Sequence, residues 1–176
     1  MIPKNYKEHT LHTKRLSILP AQPEDIEAII ALESHPENRN FLWVGTREEH
    51  LQEIDDPCHL LLVFRDRQHT ELIGYALIRL DFHSRRFEIR RIAIDKKGKG
   101  YGKEAMQALL SFAFCDLQMN KVWLDVYPHN TLGIQLYENL GFQREGILRE
   151  NYFDETLGYL DQMIYSMLKG EFQLYD

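Results

Sequence analysis

Leu16 and Ile18 alternate with polar neighbours and Pro20 follows, a pattern that predicts a first strand over Arg15 to Leu19. A helix is expected to begin at Pro23-Glu24-Asp25, since proline fits a first turn and acids suit the positive end of the helix dipole. Its apolar face is Ile26, Ile29, Ile30 and Leu32. From His35 to Pro57 the pattern is irregular, with a short helix expected over Arg47 to Ile54. Three extended runs follow, His59 to Arg65, Leu72 to Asp81 and Arg86 to Ile94. The polar turns Asp66-Arg67-Gln68-His69 and Phe82-His83-Ser84-Arg85 separate them, which predicts an antiparallel meander.

After a glycine-rich loop, Ala105, Met106, Leu109, Phe112, Ala113 and Leu117 recur at helical spacing, and Lys121 to Tyr127 alternates as a strand. The passage from the third extended run through this helix predicts a right-handed crossover between parallel strands. A shorter helix is expected over Asn130 to Leu140, stopped by Gly141 in the C′ position with Phe142 as its apolar partner. Strands over Gln143 to Tyr152 and Gly158 to Leu168 close the chain. The expected fold class is α/β, or α+β, with a mixed sheet: an antiparallel N-terminal meander, a central parallel βαβ pair and helices on both faces. The 176 residues are expected to form a single domain over positions 1–176.

Composition changes this picture little. An apolar fraction of 44% and a charged fraction of 27% are those of an ordinary globular protein. Cys58 and Cys115 form no Cys-x-x-Cys pair, so they read as two small buried hydrophobes in a reducing setting. Met1 to Leu19 carries Lys4, Lys7, Lys14 and Arg15 without an apolar segment of signal length, and no later stretch reaches membrane-spanning length. These features predict a cytoplasmic protein with no membrane partner, acting as a monomer or homodimer. The net charge of −6 argues against nucleic acid as a partner and fits a cationic substrate better. The eight histidines show no ligand spacing, so no metal is expected.

The chemistry concentrates in Lys97-Gly98-Lys99-Gly100-Tyr101-Gly102-Lys103, between the third extended run and the helix after it. Alternating glycines let backbone turn tightly and approach a ligand, the amides opening a helix point outward, and interleaved lysines add positive charge. Phosphate oxygens suit such a site. One parse is dinucleotide binding, since Gly100-Tyr101-Gly102-Lys103-Glu104-Ala105 satisfies G-x-G-x-x-A and Asp125 lies in the next strand. Against it, the preceding strand carries Glu88, Arg90 and Arg91, and the motif lies after a meander. A nucleotide P-loop fails, because Glu104 follows Lys103 where Ser or Thr is required. A turn that serves only as a helix cap is the plain alternative.

The same loop resembles the [Q/R]-x-x-G-x-[G/A] loop of the GNAT acyltransferase superfamily, which binds the pyrophosphate of acetyl-coenzyme A. Asn130 and Tyr137, with Leu136-Tyr137-Glu138-Asn139-Leu140-Gly141-Phe142, resemble the tyrosine-bearing helix of that family. The resemblance covers about Leu11 to Leu168. Glu145-Gly146-Ile147-Leu148-Arg149-Glu150, then Tyr152, Asp161 and Tyr165, resemble the branch containing ribosomal-protein N-terminal acetyltransferases and spermidine acetyltransferases. Two departures stand out: Lys97 replaces the usual Gln or Arg, and the link Asp95-Lys96 is short and lacks proline.

The resemblance implies a GNAT-like fold and transfer of an acetyl group from acetyl-coenzyme A to a primary amine by direct attack. The acceptor is a small-molecule amine or a peptide or protein N-terminus. An alternative is a GNAT-like domain that binds coenzyme A as a sensor or interaction module without turnover. Presenting an amine of pKa about 10.4 deprotonated at neutral pH costs about 4.6 kcal/mol, so a general base is needed. By the resemblance Glu88 is that base, or else it is a surface glutamate paired with Arg90. Tyr137 is the implied general acid for the leaving thiolate, and the alternative is a plain core tyrosine. Cofactor contacts are implied for the strand end Ile92, Ala93 and Ile94, where the family's sheet splays, and for the loop Lys97, Gly98, Lys99, Gly100, Tyr101, Gly102 and Lys103. Asn130, Gly133 and Tyr137 share one helical face and continue the line, although Asn130 also reads as an N-cap. Trp43, Glu53, Asp55 and Asp56 are either the wall of the acceptor site or a solvated acidic face.

Overall fold

The computed structural model describes residues 5–175, so Met1 to Lys4 and Asp176, including the N-terminal Lys4, lie outside the described residues. Eight strands form one sheet: β1 (Leu11–His12), β2 (Leu16–Pro20), β3 (His59–Asp66), β4 (Leu72–Asp81), β5 (Arg86–Ile94), β6 (Lys121–Val126), β7 (Gln143–Asp154) and β8 (Gly158–Leu168). Their spatial order is β1-β2-β3-β4-β5-β6-β8-β7. Only β5 and β6 are parallel, and every other pair is antiparallel, as the meander and crossover pattern predicts. The helices are α1 (Ile26–Ser34), α2 (Arg47–Asp55), α3 (Tyr101–Ser111) and α4 (Thr131–Asn139).

β3 and β4 bury both faces over most of their length, because helices cover both. Leu60, Leu62 and Phe64 join the larger core with α3 and α4, whereas Leu61 and Val63 face the smaller core with Ile29 and Leu32 of α1. α1 is preceded by a 3₁₀ turn at Pro23–Asp25, where the Asp25 carboxylate accepts from the Gln22 amide at 2.8 Å. Its buried face differs from the expected one. Ile30 is only half-buried, and Glu33 is fully buried in its place.

Local signals account for the other helix ends. Thr46 and Glu49 form a reciprocal capping box at the start of α2. At the end of α4 the Phe142 amide donates to Tyr137 O and the Gly141 amide to Glu138 O, both at 3.0 Å, with Gly141 at φ 95. That is a Schellman stop, and Phe142 packs on Tyr137 at 6.0 Å between ring centroids. α3 widens at its end into a π-type turn over Phe112–Asp116, closed by the Leu117 amide on Phe112 O at 2.9 Å.

Both cysteines correct the sequence reading, since Cys58 and Cys115 are exposed. Cys58 sits in the turn before β3, its amide bonded to Asp56 at 2.7 Å, and Cys115 falls on the solvent side of the π-type turn. β7 also runs two residues past its expected end at Tyr152, and β6 stops at Val126, one short of Tyr127.

Two irregularities shape the middle of the sheet. On β5, Leu77 pairs with Arg91 and Ile78 with Ile89, so Arg90 is an extra, bulged residue. The bulge reverses the facing of the strand: Phe87 and Ile89 belong to the larger core before it, and Ile92 and Ile94 pack there after it. Moreover, β5 and β6 pair only at Arg86↔Lys121, Phe87↔Val122 and Glu88↔Trp123. Past Glu88 the parallel strands part, opening a wedge through the sheet.

Candidate active site

The parted strands open onto a cavity of about 970 Å³, at the upper end of ordinary ligand pockets. Its wall brings together Glu88, the edge Ile92–Ile94, the loop from Lys97 to Lys103, and Asn130, Gly133 and Tyr137 of α4 and its cap. Lys99 is the exception among the predicted residues. It lies outside the wall, its carbonyl turned to accept from Arg15 Nη1 at 2.9 Å.

The loop is built as a cradle. Gly98 and Gly100 hold φ of 75 and 80, a left-handed conformation that costs a β-carbon-bearing residue about 1–2 kcal/mol. Gly100 is the N-cap of α3 and has no side chain to cap it, so the Tyr101, Gly102 and Lys103 amides have no partners inside the helix. The Arg15 guanidinium fixes this loop from below. It lies 4.1 Å from the Tyr101 ring centroid, and its Nε donates to Glu104 Oε2 at 2.7 Å. Glu104 Oε1 also accepts from Thr13 Oγ1 and from the Arg15 amide, which holds the first turn of α3 against β2. Sequence reading placed Arg15 in a strand, and nothing local marks it as a loop clamp.

Lys97, the residue that departs from the resembled motif, donates from Nζ to the Glu37 carbonyl at 2.6 Å and lies 5.8 Å from the Phe41 ring. On the other side, His129 Nε2 is 3.1 Å from Asn40 O, and its ring is 5.4 Å from that of Phe41. The segment around Phe41 therefore spans the cavity mouth between the loop after β5 and the loop after β6. Asn130 is the N-cap of α4, its Oδ1 accepting from the Gly133 amide at 3.0 Å, and it lines the cavity as well. A β-carbon at Gly133 would lie 2.8 Å from Asn130 Nδ2, so glycine keeps that cap intact.

Tyr137 is buried on the α4 side and lines the cavity. Burial pushes its pKa up to about 12, with the Asp125 carboxylate adding to the effect. Glu88 is no surface residue: its side chain is 13% exposed, with Arg90 Nε at 3.8 Å. Burial raises its pKa, against the pull of Arg90 and Arg79. Asp125 on β6 faces the same side, opposite Leu124 and Val126 of the larger core, and burial raises its pKa too. It accepts from Gln162 Nε2 at 3.0 Å and pairs with no cationic side chain among the described residues. Sequence reading weighed Asp125 only as a ribose ligand. Its position in the alternation of β6, out of phase with the apolar residues, was the available signal. The wedge thus sets Tyr137, from one face of the sheet, towards Glu88 and Asp125 on the other.

The acidic stretch at the end of α2 divides between the two alternatives. Glu53 is 15% exposed at its side chain and paired with Arg91 and His50, while Asp55 is exposed and Asp56 lines the cavity. Trp43 lies against Arg91, 4.9 Å from ring centroid to Cζ. Among the described residues no three His, Cys, Asp or Glu side chains are grouped to hold a metal, and no helix is long and apolar enough to cross a membrane.

Residues 15–143 match the Acetyltransferase (GNAT) domain family. A spermidine N(1)-acetyltransferase of Vibrio cholerae is 32% identical over 128 residues, covering 66% of this chain and 73% of its own. An uncharacterized N-acetyltransferase, p20 of Bacillus licheniformis, is 29% identical over 178 residues, covering 93% and 98%. In fold, the chain resembles the spermidine N-acetyltransferase of Vibrio cholerae crystallised with CoA and spermine, with a TM-score of 0.80, 24% identity and coverage of 90% and 98%. A GNAT-family acetyltransferase from Bacillus anthracis gives a TM-score of 0.78 at 21% identity, covering 93% and 100%.

Proposed function

The chain belongs to the GNAT acetyltransferase family, whose members use acetyl-coenzyme A to acetylate amines, and on that premise we propose that its acceptor is the primary amine of a small polycation such as a polyamine. The observation that carries this reading is the polarity of the cavity. Lys97, Lys103 and the amides opening α3 gather at one end. Glu88 lies six residues before Ile94, the end of β5 that leads into this loop, about 20 Å at the usual strand rise. There it stands with Asp125, two carboxylates against the single nearby cation Arg90, whose Nε is 3.8 Å from Glu88. A cationic amine suits the carboxylate end, because a largely buried charge is costly until paired, and phosphates suit the open amides and exposed lysines of the loop. The similarity to a relative named for spermidine supports the same acceptor class.

Acetyl-coenzyme A supplies an activated thioester. The residues present fit it: left-handed glycines beside open amides for the pyrophosphate, and an unpaired β5 edge past Glu88 along which an extended arm adds like a strand. In the proposed reaction Asp125 orients the ammonium group, and Glu88 takes its proton, directly or through water. The freed amine forms the C–N bond as the C–S bond breaks. A main-chain amide of Ile92 to Ile94 polarises the carbonyl oxygen. Tyr137 donates a hydrogen bond to the departing sulfur. A thiol of pKa about 8.5 is a far weaker base as thiolate than a tyrosinate near 12, so Tyr137 keeps its proton at completion and stabilises the charge. The nitrogen sheds a second proton as the amide forms, which the departing thiolate takes up to leave as the thiol, and the proton held by Glu88 passes to water.

The test is thiol release from acetyl-coenzyme A across a panel of polyamine, aminoglycoside, amino acid and peptide N-terminus. The polyamine is expected to give the highest kcat/KM. A peptide preferred by about tenfold or more would overturn the acceptor assignment, that being a difference of about 1.4 kcal/mol in transition-state binding.

A further inference from the structure

Glu33 of α1 is fully buried, and the proposed reaction does not use it. Four donors from four separate parts of the chain converge on its two oxygens. Oε2 accepts from the Gly45 amide at 2.9 Å and faces His50 Nε2 of α2 at 3.1 Å. Oε1 accepts from Tyr75 of β4 at 2.5 Å and from Arg91 Nη1 of β5 at 3.2 Å. Glu53 closes the group, meeting His50 Nδ1 at 2.7 Å and Arg91 Nη2. With His50 protonated, two cations and two carboxylates balance. Burial alone would lower the His50 pKa, but hydrogen bonds to Glu33 and Glu53 raise it to about 9. Glu53 is thereby paired internally, while Glu49 and Asp56 still line the cavity together with Glu88 and Asp125.

The position of this group matters more than its charge. Arg91 follows the bulged Arg90 and directly precedes the cofactor-facing edge, Ile92 to Ile94. On the other side the group grips Gly45, two residues from Trp43, and the face of α2 that carries Glu53. We infer that Glu33 is a positioning residue for the acceptor site: its carboxylate ties the Trp43 wall and α2 to the bulged strand, setting the gap in which the amine meets the thioester. An apolar side chain would fill the same space and stabilise α1 without this link, and a lone buried ion pair contributes little net stability.

This inference rests on the acetyl-transfer reading, and two variants test it. Glu33→Gln keeps the volume but turns an N–H donor towards donors. Gly45→Ala leaves every charge in place, yet its β-carbon would lie 2.6 Å from His50 Nε2 and push the wall outward. Both are expected to raise KM for the preferred amine about tenfold while KM for acetyl-coenzyme A and calorimetric coenzyme A affinity stay within about twofold, since small misplacements at a reacting centre are costly. Both should also increase acrylamide quenching of Trp43. A merely structural role would lower the melting temperature and move both KM values together, and either that pattern or an unmoved amine KM would overturn the inference. If the wild type releases thiol with no amine, the acetyl-transfer reading itself fails. Trp43 quenching then decides alone, and unchanged quenching in both variants refutes the link.

Discussion

A carboxylate held on a strand beside a cavity keeps its proton to higher pH than one in water, and Glu88 is such a group. As a base it acts only when ionised, so turnover is present above its raised pKa and is lost as pH falls through it. The acidic limb of the kcat/KM profile should therefore lie above the range of a free glutamate. Glu88→Gln should remove that limb and lower kcat/KM by about 10²- to 10⁴-fold, and an unaltered profile would take Glu88 out of the base role. Tyr137 carries the complementary expectation. Tyr137→Phe preserves the ring packed on Phe142 and deletes only the hydroxyl, so kcat should fall about 10²-fold or more with calorimetric coenzyme A affinity unchanged. The resembled motif pointed to both residues, and both line the cavity. The motif did not point to Asp125, because its place beside Glu88 comes from the pairing of strands that set the two residues 37 positions apart in sequence.

At the scale of elements, the loop and α3 form one unit clamped by Arg15 and Glu104. Gly100→Val puts a β-branched residue at φ 80, with Arg15 Nη2 3.5 Å from the new β-carbon. Space is adequate there, so the damage comes from backbone strain of about 1–2 kcal/mol, taken up by the loop. KM for acetyl-coenzyme A should rise about tenfold, the equivalent of that strain, while kcat at saturating cofactor changes little. Steady-state kinetics with varied cofactor check it, and a normal KM would sink the cradle assignment. The glycines themselves announced the loop. The clamp did not announce itself, since Arg15 and Glu104 are 89 residues apart and each reads locally as an ordinary charged position.

Taken whole, the molecule has a net charge of −6, and in the proposed reading the cofactor lies at the loop end with Lys97 and Lys103 and the acceptor at the acidic end with Glu88 and Asp125, beside Arg90. Capture of a polycation by that acidic end should weaken with salt, because the screening length shrinks from about 10 Å at 0.1 M towards about 3 Å at 1 M. KM for a polyamine is expected to climb across that range, and Asp125→Asn should flatten the climb. A salt-independent KM would remove electrostatic capture. The sequence by itself determined the order and type of the elements apart from the two-residue β1, together with the glycine loop, the capped α4 and the acetyltransferase resemblance, because periods of 2 and 3.6 and glycine conformations are written in neighbouring residues. Only the tertiary structure decided the bulge at Arg90, the parting of β5 from β6 after Glu88, the burial of Glu33 and the exposure of both cysteines. Those features depend on strand register and on partners far along the chain, and the energy that sets them arises only when distant side chains leave water together.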